Sequence, residues 1–252
     1  MISDLHGWLP KIETPFDLLG VAGDVSPAHD HYYKFQKEWT ETTFKDWVLK
    51  LPFKNELSKV VLVPGNHDAY FERANKTDIN HLVTLCDNRL VFLKNQAYDF
   101  ETLDGPGLAT IKIFGTPYCK IFGGWPFMCG PDTLAKKYGE CPEGMDLVLS
   151  HDSPKKNNLG LIQEGWGSGT DAGNALLDEL IDTKKPKVFV SGHIHSGNHE
   201  FANVDGVWMG NVSLINERYY PAYDVLYINY NPDTHEVVEH KKIHVESEEI
   251  DW

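Results

Sequence analysis

Five short stretches carry residues able to hold a metal or move a proton. They are Asp4-Leu5-His6-Gly7, Gly23-Asp24, Gly65-Asn66-His67-Asp68, Ser150-His151 and Gly192-His193-Ile194-His195. Together they offer carboxylates, an asparagine amide and several imidazoles, with no thiolate among them. Oxygen and nitrogen donors of this kind suit Mn, Fe, Zn or Ni better than the softer metals. One carboxylate can bridge two metals about 3.5–4 Å apart, the spacing of two-metal hydrolases. Singly each stretch is a weak signal. A G-D or D-x-H arises by chance, Gly65-Asn66 reads equally as a turn, and either His193 or His195 as a core histidine. All five together, in chain order, are a much stronger signal.

The elements around them predict where they meet. Apolar, β-rich runs at 16–22, 59–63, 145–149 and 187–190 each end in one of the polar stretches. Such runs read as buried strands. Open α/β sheets place ligands beyond the carboxyl ends of their strands, so the side chains are expected at one rim. Helices are predicted over 35–51 and 171–182. In the second, Ala175, Leu176, Leu177, Leu180 and Ile181 recur at helical spacing and Pro186 follows the end. Strand-like segments at 207–213, 224–230 and 236–245 come last, with Asn231-Pro232-Asp233 as a turn, and predict antiparallel pairing. Strands alternating with helices, then such strands, give a layered α/β fold, expected as a single domain over 1–252. The loops at 119–131 and 163–174 are rich in Gly, Trp and Pro, and long loops in compact domains are often functional.

Composition narrows the chemistry. The chain has 252 residues, with 23 Lys+Arg against 37 Asp+Glu and a net charge of −14. That balance opposes non-specific nucleic-acid binding, which draws on many contacts from basic side chains to phosphates. A small phosphate ester held at a metal is compatible with it. No apolar run approaches the roughly 18 residues of a membrane span, and no leader-like stretch is seen, so a cytoplasmic setting without membrane attachment is expected. Cys86, Cys119, Cys129 and Cys141 form no C-x-x-C pair and read as reduced thiols.

The order D-x-H, G-D, G-N-H-D, H, G-H-x-H resembles that of the calcineurin-like metallophosphoesterases. Within them it is most similar to the metallophosphoesterase-domain (MPPED) proteins. The narrower likeness rests on Gly115-Thr116-Pro117-Tyr118, Trp125, Pro142-Glu143-Gly144-Met145-Asp146 and Ser150-His151-Asp152-Ser153-Pro154. The resemblance implies an α/β/β/α sandwich with C-terminal antiparallel strands, and two divalent or mixed-valence metal ions. It assigns the first metal to Asp4, His6, Asp24 and His195, and the second to Asp24, Asn66, His151 and His193, with Asp24 bridging. His67 is then the histidine that contacts the phosphate and protonates the leaving oxygen, and Asp68 is expected to orient its imidazole. The family normally has a full hydrophobic strand before D-x-H, whereas here Met1 and Ile2 precede Ser3-Asp4. Gly23-Asp24-Val25-Ser26-Pro27 lacks the G-D-x-x-D-R-G of the Ser/Thr protein phosphatases. His193 stands where some animal MPPED proteins have Gly. For His193 and His195 to serve different metals, the backbone must turn at Gly192 or just after it.

The expected function is hydrolysis of a nucleotide-like phosphodiester, a cyclic nucleotide among the candidates, by a metal-activated hydroxide. A phosphomonoesterase is the nearest alternative, followed by a nuclease. A non-catalytic scaffold is expected to have lost ligands, and none is missing. Three arginines, Arg73, Arg89 and Arg218, leave few bidentate phosphate clamps. Tyr118, Phe122, Trp125, Phe127 and Trp166 are candidates for stacking a base or for packing the loops. His29 and His31 follow Asp24 closely enough to approach the site, though a solvated loop is the simpler reading; His199 reads as support for the site, and His235, His240 and His244 as surface residues.

Overall fold

The computed structural model describes residues 1–104 and 107–248. The expected single domain also includes positions 105, 106 and 249–252, which lie outside the described residues. Strands β1 (Leu18–Ala22), β2 (Lys59–Val63) and β3 (Leu90–Phe92) form a parallel sheet in that order. A second sheet contains β4 (Gln96–Asp104), β5 (Gly107–Thr116), β6 (Leu147–Ser150), β7 (Val188–Ser191), β8 (Ala202–Val204) and β9 (Val207–Asn211). Its order is β8-β9-β7-β6-β5-β4, parallel through the four central strands and antiparallel at both edges.

Period-two alternation divides the interior into three cores. Val61 and Val63 on β2 point between the sheets, where they share a cluster with Leu147, Leu149, Val188 and Val190. Their neighbours Val60 and Leu62 face the other way, into a cluster with Trp39, Phe44 and Val48. Those three lie on a helix built from Tyr33–Trp39, a π-helical turn at Thr40–Phe44, and Lys45–Lys50. On the far side, Val148 and Phe189 meet Leu134, Tyr138, Leu177 and Ile181, which come from helices Pro131–Gly139 and Ala175–Lys184. Helices therefore cover the outer face of each sheet, and the sheets face one another in an α/β/β/α sandwich.

Two expectations are adjusted. The helix predicted over 171–182 begins at Ala175, because the Asn174 side chain caps it by accepting from the Leu176 N–H, while Asp171 holds the Gly173 N–H in a turn. The C-terminal strands do not all pair antiparallel. Strands β10 (Val225–Asn231) and β11 (Glu236–Ile243) form an antiparallel hairpin, whereas β9 runs parallel beside β7 and antiparallel only to β8. The chain before Asp4 is reduced to bridges, Ile2 with Val21 and Ser3 with Ser213. Short as it is, this segment ties the first sheet to the chain leaving β9. No helix among the described residues is long and apolar enough to cross a membrane.

Candidate metal centre

The loops after β1, β2, β6 and β7 meet at one rim, and the backbone is strained there. Asp4, His6, Asp24 and His193 have φ of 52°, 43°, 50° and 68°. Non-glycine residues rarely occupy this left-handed region, and each costs of order 1 kcal/mol or more. Glycines allow the close approach. A Cβ on Gly65 would sit 2.2 Å from Asp24 Oδ1, and one on Gly192 2.1 Å from Asp4 Oδ2. At Gly192 the strand ends, and the left-handed turn at His193 separates the two imidazoles that an extended strand would alternate.

Three overlapping groups of side chains converge: Asp4, His6 and His195; His6, Asp24 and His67; and Asp24, His151 and His193. Within each, the potential ligand atoms lie within 4.8 Å of one another. Asp24 Oδ2 stands 3.5 Å from His6 Nε2 and 3.4 Å from His151 Nε2, so one carboxylate oxygen faces both halves of the cluster. His195 Nε2 lies 3.4 Å from Asp4 Oδ1. Asn66 Oδ1 lies 2.8 Å from His151 Nε2. All seven side chains assigned to metal by the resemblance, Asp4, His6, Asp24, Asn66, His151, His193 and His195, thus belong to one largely buried constellation.

Hydrogen bonds behind the cluster hold the rings in place. His151 Nδ1 donates to the Ala22 carbonyl at 3.0 Å and His195 Nδ1 to that of Asn216 at 3.2 Å, which points both Nε2 atoms inward. His199 Nε2 donates to the His195 carbonyl, as a supporting residue should. Ser213 Oγ and the His193 N–H both donate to Asp4. In contrast, both ring nitrogens of His6 and Nδ2 of Asn66 are buried with no hydrogen-bond partner among the described residues. Buried polar atoms without partners are costly, and for His6 a metal would remove that cost. The donor set and this orphaned imidazole fit a divalent metal centre.

The protonation pattern follows from burial and charge. Burial pushes His6 and His193 well below the usual histidine range, leaving neutral rings with lone pairs for a metal. Burial also lowers His67 to about 4, helped by the charge on His151. Burial and the nearby Asp4 carboxylate raise Asp24 to about 6. Burial would raise Asp4 as well, but the hydrogen bond and charge of His195 hold it well below the usual carboxylate range. His151 and His195 are raised despite burial, by Asp24 and Asp4 respectively.

Asp68 departs from its expected role of orienting the His67 imidazole. Its buried carboxylate accepts from the backbone N–H groups of Gly65, Ser26 and Val25, at 2.7, 2.9 and 3.4 Å. It staples the Asp24 loop to the Asn66 loop. The partner of His67 is His31, with Nε2 2.7 Å from His67 Nδ1, so His31 is a site residue and not a solvated loop histidine. No motif marks His31 or Tyr219 in the sequence. The Tyr219 ring packs 4.9 Å from His6 and 5.3 Å from His195. Among the candidate rings, Trp125 packs on His67 and His31, and Phe122 on His193. Phe127 is buried, Tyr118 packs against it, and Trp166 is 97% exposed. His235 is hydrogen bonded to the buried Asp146, and His240 packs on Phe201 and Trp208.

Comparison with known proteins matches a model of the calcineurin-like phosphoesterase family to residues 1–197. Human metallophosphoesterase domain-containing protein 1 is 22% identical over 254 residues, covering 88% of this chain and 67% of that protein. A UPF0046 protein of Caenorhabditis elegans is 25% identical, covering 88% of this chain and 77% of its own length. Among solved structures, TT1561 of Thermus thermophilus superposes with a TM-score of 0.50 at 12% identity, over 90% of this chain and 86% of that one. This last likeness is one of fold.

Proposed function

This chain belongs to the calcineurin-like phosphoesterase family of metal-dependent phosphoester hydrolases, and from that premise we propose that it hydrolyses a small phosphodiester of nucleotide-like build. The observation that carries the reading is Asp24, whose Oδ2 faces His6 and His151 from between the two halves of the cluster. Asp4, His6, Asp24 and His195 would hold one ion; Asp24, Asn66, His151 and His193 would hold the other. Bound there, divalent metals supply Lewis acidity toward phosphoryl oxygens and lower the pKa of water.

The protein's own groups do the rest. Asp24 also accepts the His67 N–H at 2.7 Å, which fixes the backbone that carries the His67 ring beside the ligands. A phosphate anion beside that ring favours its protonated form. Protonated His67 donates Nδ1–H to His31 and presents Nε2–H to the departing oxygen, a contribution typically worth about 10²–10⁴-fold. The choice of diester over monoester is supported by the scarcity of cations. Arg89 is occupied by the carbonyls of Asn55, Glu56 and Ser58, and the seven cluster side chains include no Lys or Arg, so the cluster itself offers a dianion no cationic side chain of that kind.

The test is to reconstitute the metal-free protein with Mn, Fe, Zn or Ni and assay bis(p-nitrophenyl) phosphate against p-nitrophenyl phosphate. Faster turnover of the diester is expected. Activity confined to the monoester would make the protein a phosphomonoesterase, and two bound ions without turnover on either would make it a binding module. His67→Ala should keep the metals and lose more rate on alkyl than on nitrophenyl esters, because nitrophenolate leaves without a proton. Loss of a metal in His67→Ala would move His67 into the ligand set.

A further inference from the structure

A cavity of about 520 Å³ opens beside His67, lined in part by His31, Trp125, Ile121, Glu72 and Arg73. The His67 ring lies 4.7 Å from His6 and 4.7 Å from Trp125. Trp125 also packs on His31, at 4.8 Å. Two of the residues that line the cavity, His31 and Trp125, thus both contact His67, which itself packs on His6 of the ligand cluster. Its volume falls in the range of small-molecule pockets, roughly 300–1,000 Å³.

Its charges are few and unequal in their freedom. Glu72 Oε1 accepts the Phe127 N–H at 3.0 Å, so that carboxylate is engaged by the neighbouring turn. Arg73 is exposed and has no ion pair or side-chain hydrogen bond among the described residues. A guanidinium left unpaired in a chain of net charge −14, on the wall of a cavity, is a receptor for an anion. Guanidinium groups match carboxylate and phosphate with two parallel hydrogen bonds.

We propose that this cavity is the leaving-group subsite, and that it takes a planar group bearing a negative charge, its ring against Trp125 and its charge on Arg73. The proposal rests on the phosphoesterase reading. The group that protonates a leaving oxygen must sit within hydrogen-bond reach of it, so the departing half of the ester extends past His67, where this cavity lies. Hydrolysis breaks the P–O bond to that half; water supplies the new oxygen on phosphorus, and the departing oxygen takes its proton from His67. Aromatic contact with the indole adds to what burial of the ring supplies.

The experiment uses the metal-loaded full chain and two methyl aryl phosphodiesters of matched leaving-group pKa, one with a carboxylate on the aryl ring. The carboxylated ester should be preferred about tenfold in kcat/KM, equivalent to about 1.4 kcal/mol. The preference should collapse toward one in Arg73→Gln, persist in part in Arg73→Lys, and survive in Arg218→Gln. Gly124→Leu, whose Cβ meets nothing within 4 Å, should raise KM for both esters by filling the cavity. Titration of hydroxybenzoate provides a readout apart from turnover, and its binding should be lost in Arg73→Gln. A wild-type ratio near one, or a ratio unchanged in Arg73→Gln, overturns the subsite. Absence of turnover on both esters, with metals bound, overturns the phosphoesterase reading and the leaving-group role together.

Discussion

Asp24 carries opposing demands, because its anion is needed by metal and disfavoured by burial. Its folded pKa of about 6 lies above the ordinary aspartate value of 3.8. Between these values the folded state binds more protons than the unfolded, so stability falls as pH rises and stays reduced above pH 6. Two pKa units are equivalent to about 3 kcal/mol at most. Asp24→Asn should therefore raise the Tm of the chelated protein at pH 7.5, with little gain at pH 4, while metal analysis shows loss at both positions. His6, His67 and His193 titrate in the opposite sense, so the wild-type minus variant difference is the quantity to follow. A chelated variant no more stable than wild type at pH 7.5 would falsify this account. Asp68→Asn should cost about 1–3 kcal/mol, the range for leaving a buried donor unsatisfied, and weaken metal binding without changing leaving-group dependence. At this scale the donor cluster was legible, since Asp24, Asn66, His151, His193 and His195 stand in short polar stretches just after strands. Asp68 was misread because adjacency to His67 resembles an orienting pair, whereas its carboxylate turns toward three backbone N–H groups. His31 was legible only as a residue close enough to Asp24 to approach the site, and its pairing with His67, 36 residues away, was not.

Strand ends and the glycines after them deliver the donors. The parallel strands were readable from their continuous apolar runs, which mark strands buried on both faces. What the sequence left open was which loop touches which, a matter of packing distances. Gly65 illustrates it: an added Cβ would meet Asp24 Oδ1 at 2.2 Å and the Asp24 backbone nitrogen at 2.5 Å. Because the obstruction includes backbone, no rotamer change relieves it, and the Asp24 and Asn66 loops must separate. Gly65→Ala is expected to retain its far-UV circular dichroism, since β2 ends two residues earlier. It should lose metal affinity by roughly tenfold or more at the Asp24-sharing sites, the scale of change when the groups that orient metal ligands are disturbed. Competition with a chromophoric chelator measures it. Unchanged affinity would mean that the loops have slack the tight contacts deny.

The whole molecule joins its site to a hairpin at the opposite end of the sheets. Asp146 stands just before β6, whose other end leads into His151. Its Oδ2 accepts the Lys112 N–H, while Oδ1 receives the Tyr230 hydroxyl at 2.6 Å and pairs with His235 Nδ1 at 2.7 Å. Tyr230 and His235 belong to the β10–β11 hairpin, so one buried carboxylate fastens the hairpin to the second sheet. A cavity of about 490 Å³ lies between hairpin and sheets, lined in part by Phe100, Leu147, Val188, Leu226 and Ile228. Apolar contact is therefore incomplete there, and the polar clamp carries a larger share of the attachment. Tyr230→Phe removes one hydrogen bond and keeps the ring, which should cost about 1–2 kcal/mol, since bonds to charged groups exceed the neutral average. Amide exchange should quicken across 225–243 before it does across 147–150, because local opening of the hairpin needs less free energy than opening of the central strands. Metal content and kcat should stay at their wild-type values, since the clamp lies a strand length from the ligands. Equal loss of protection in both segments would mean instead that hairpin and sheets open as one cooperative unit.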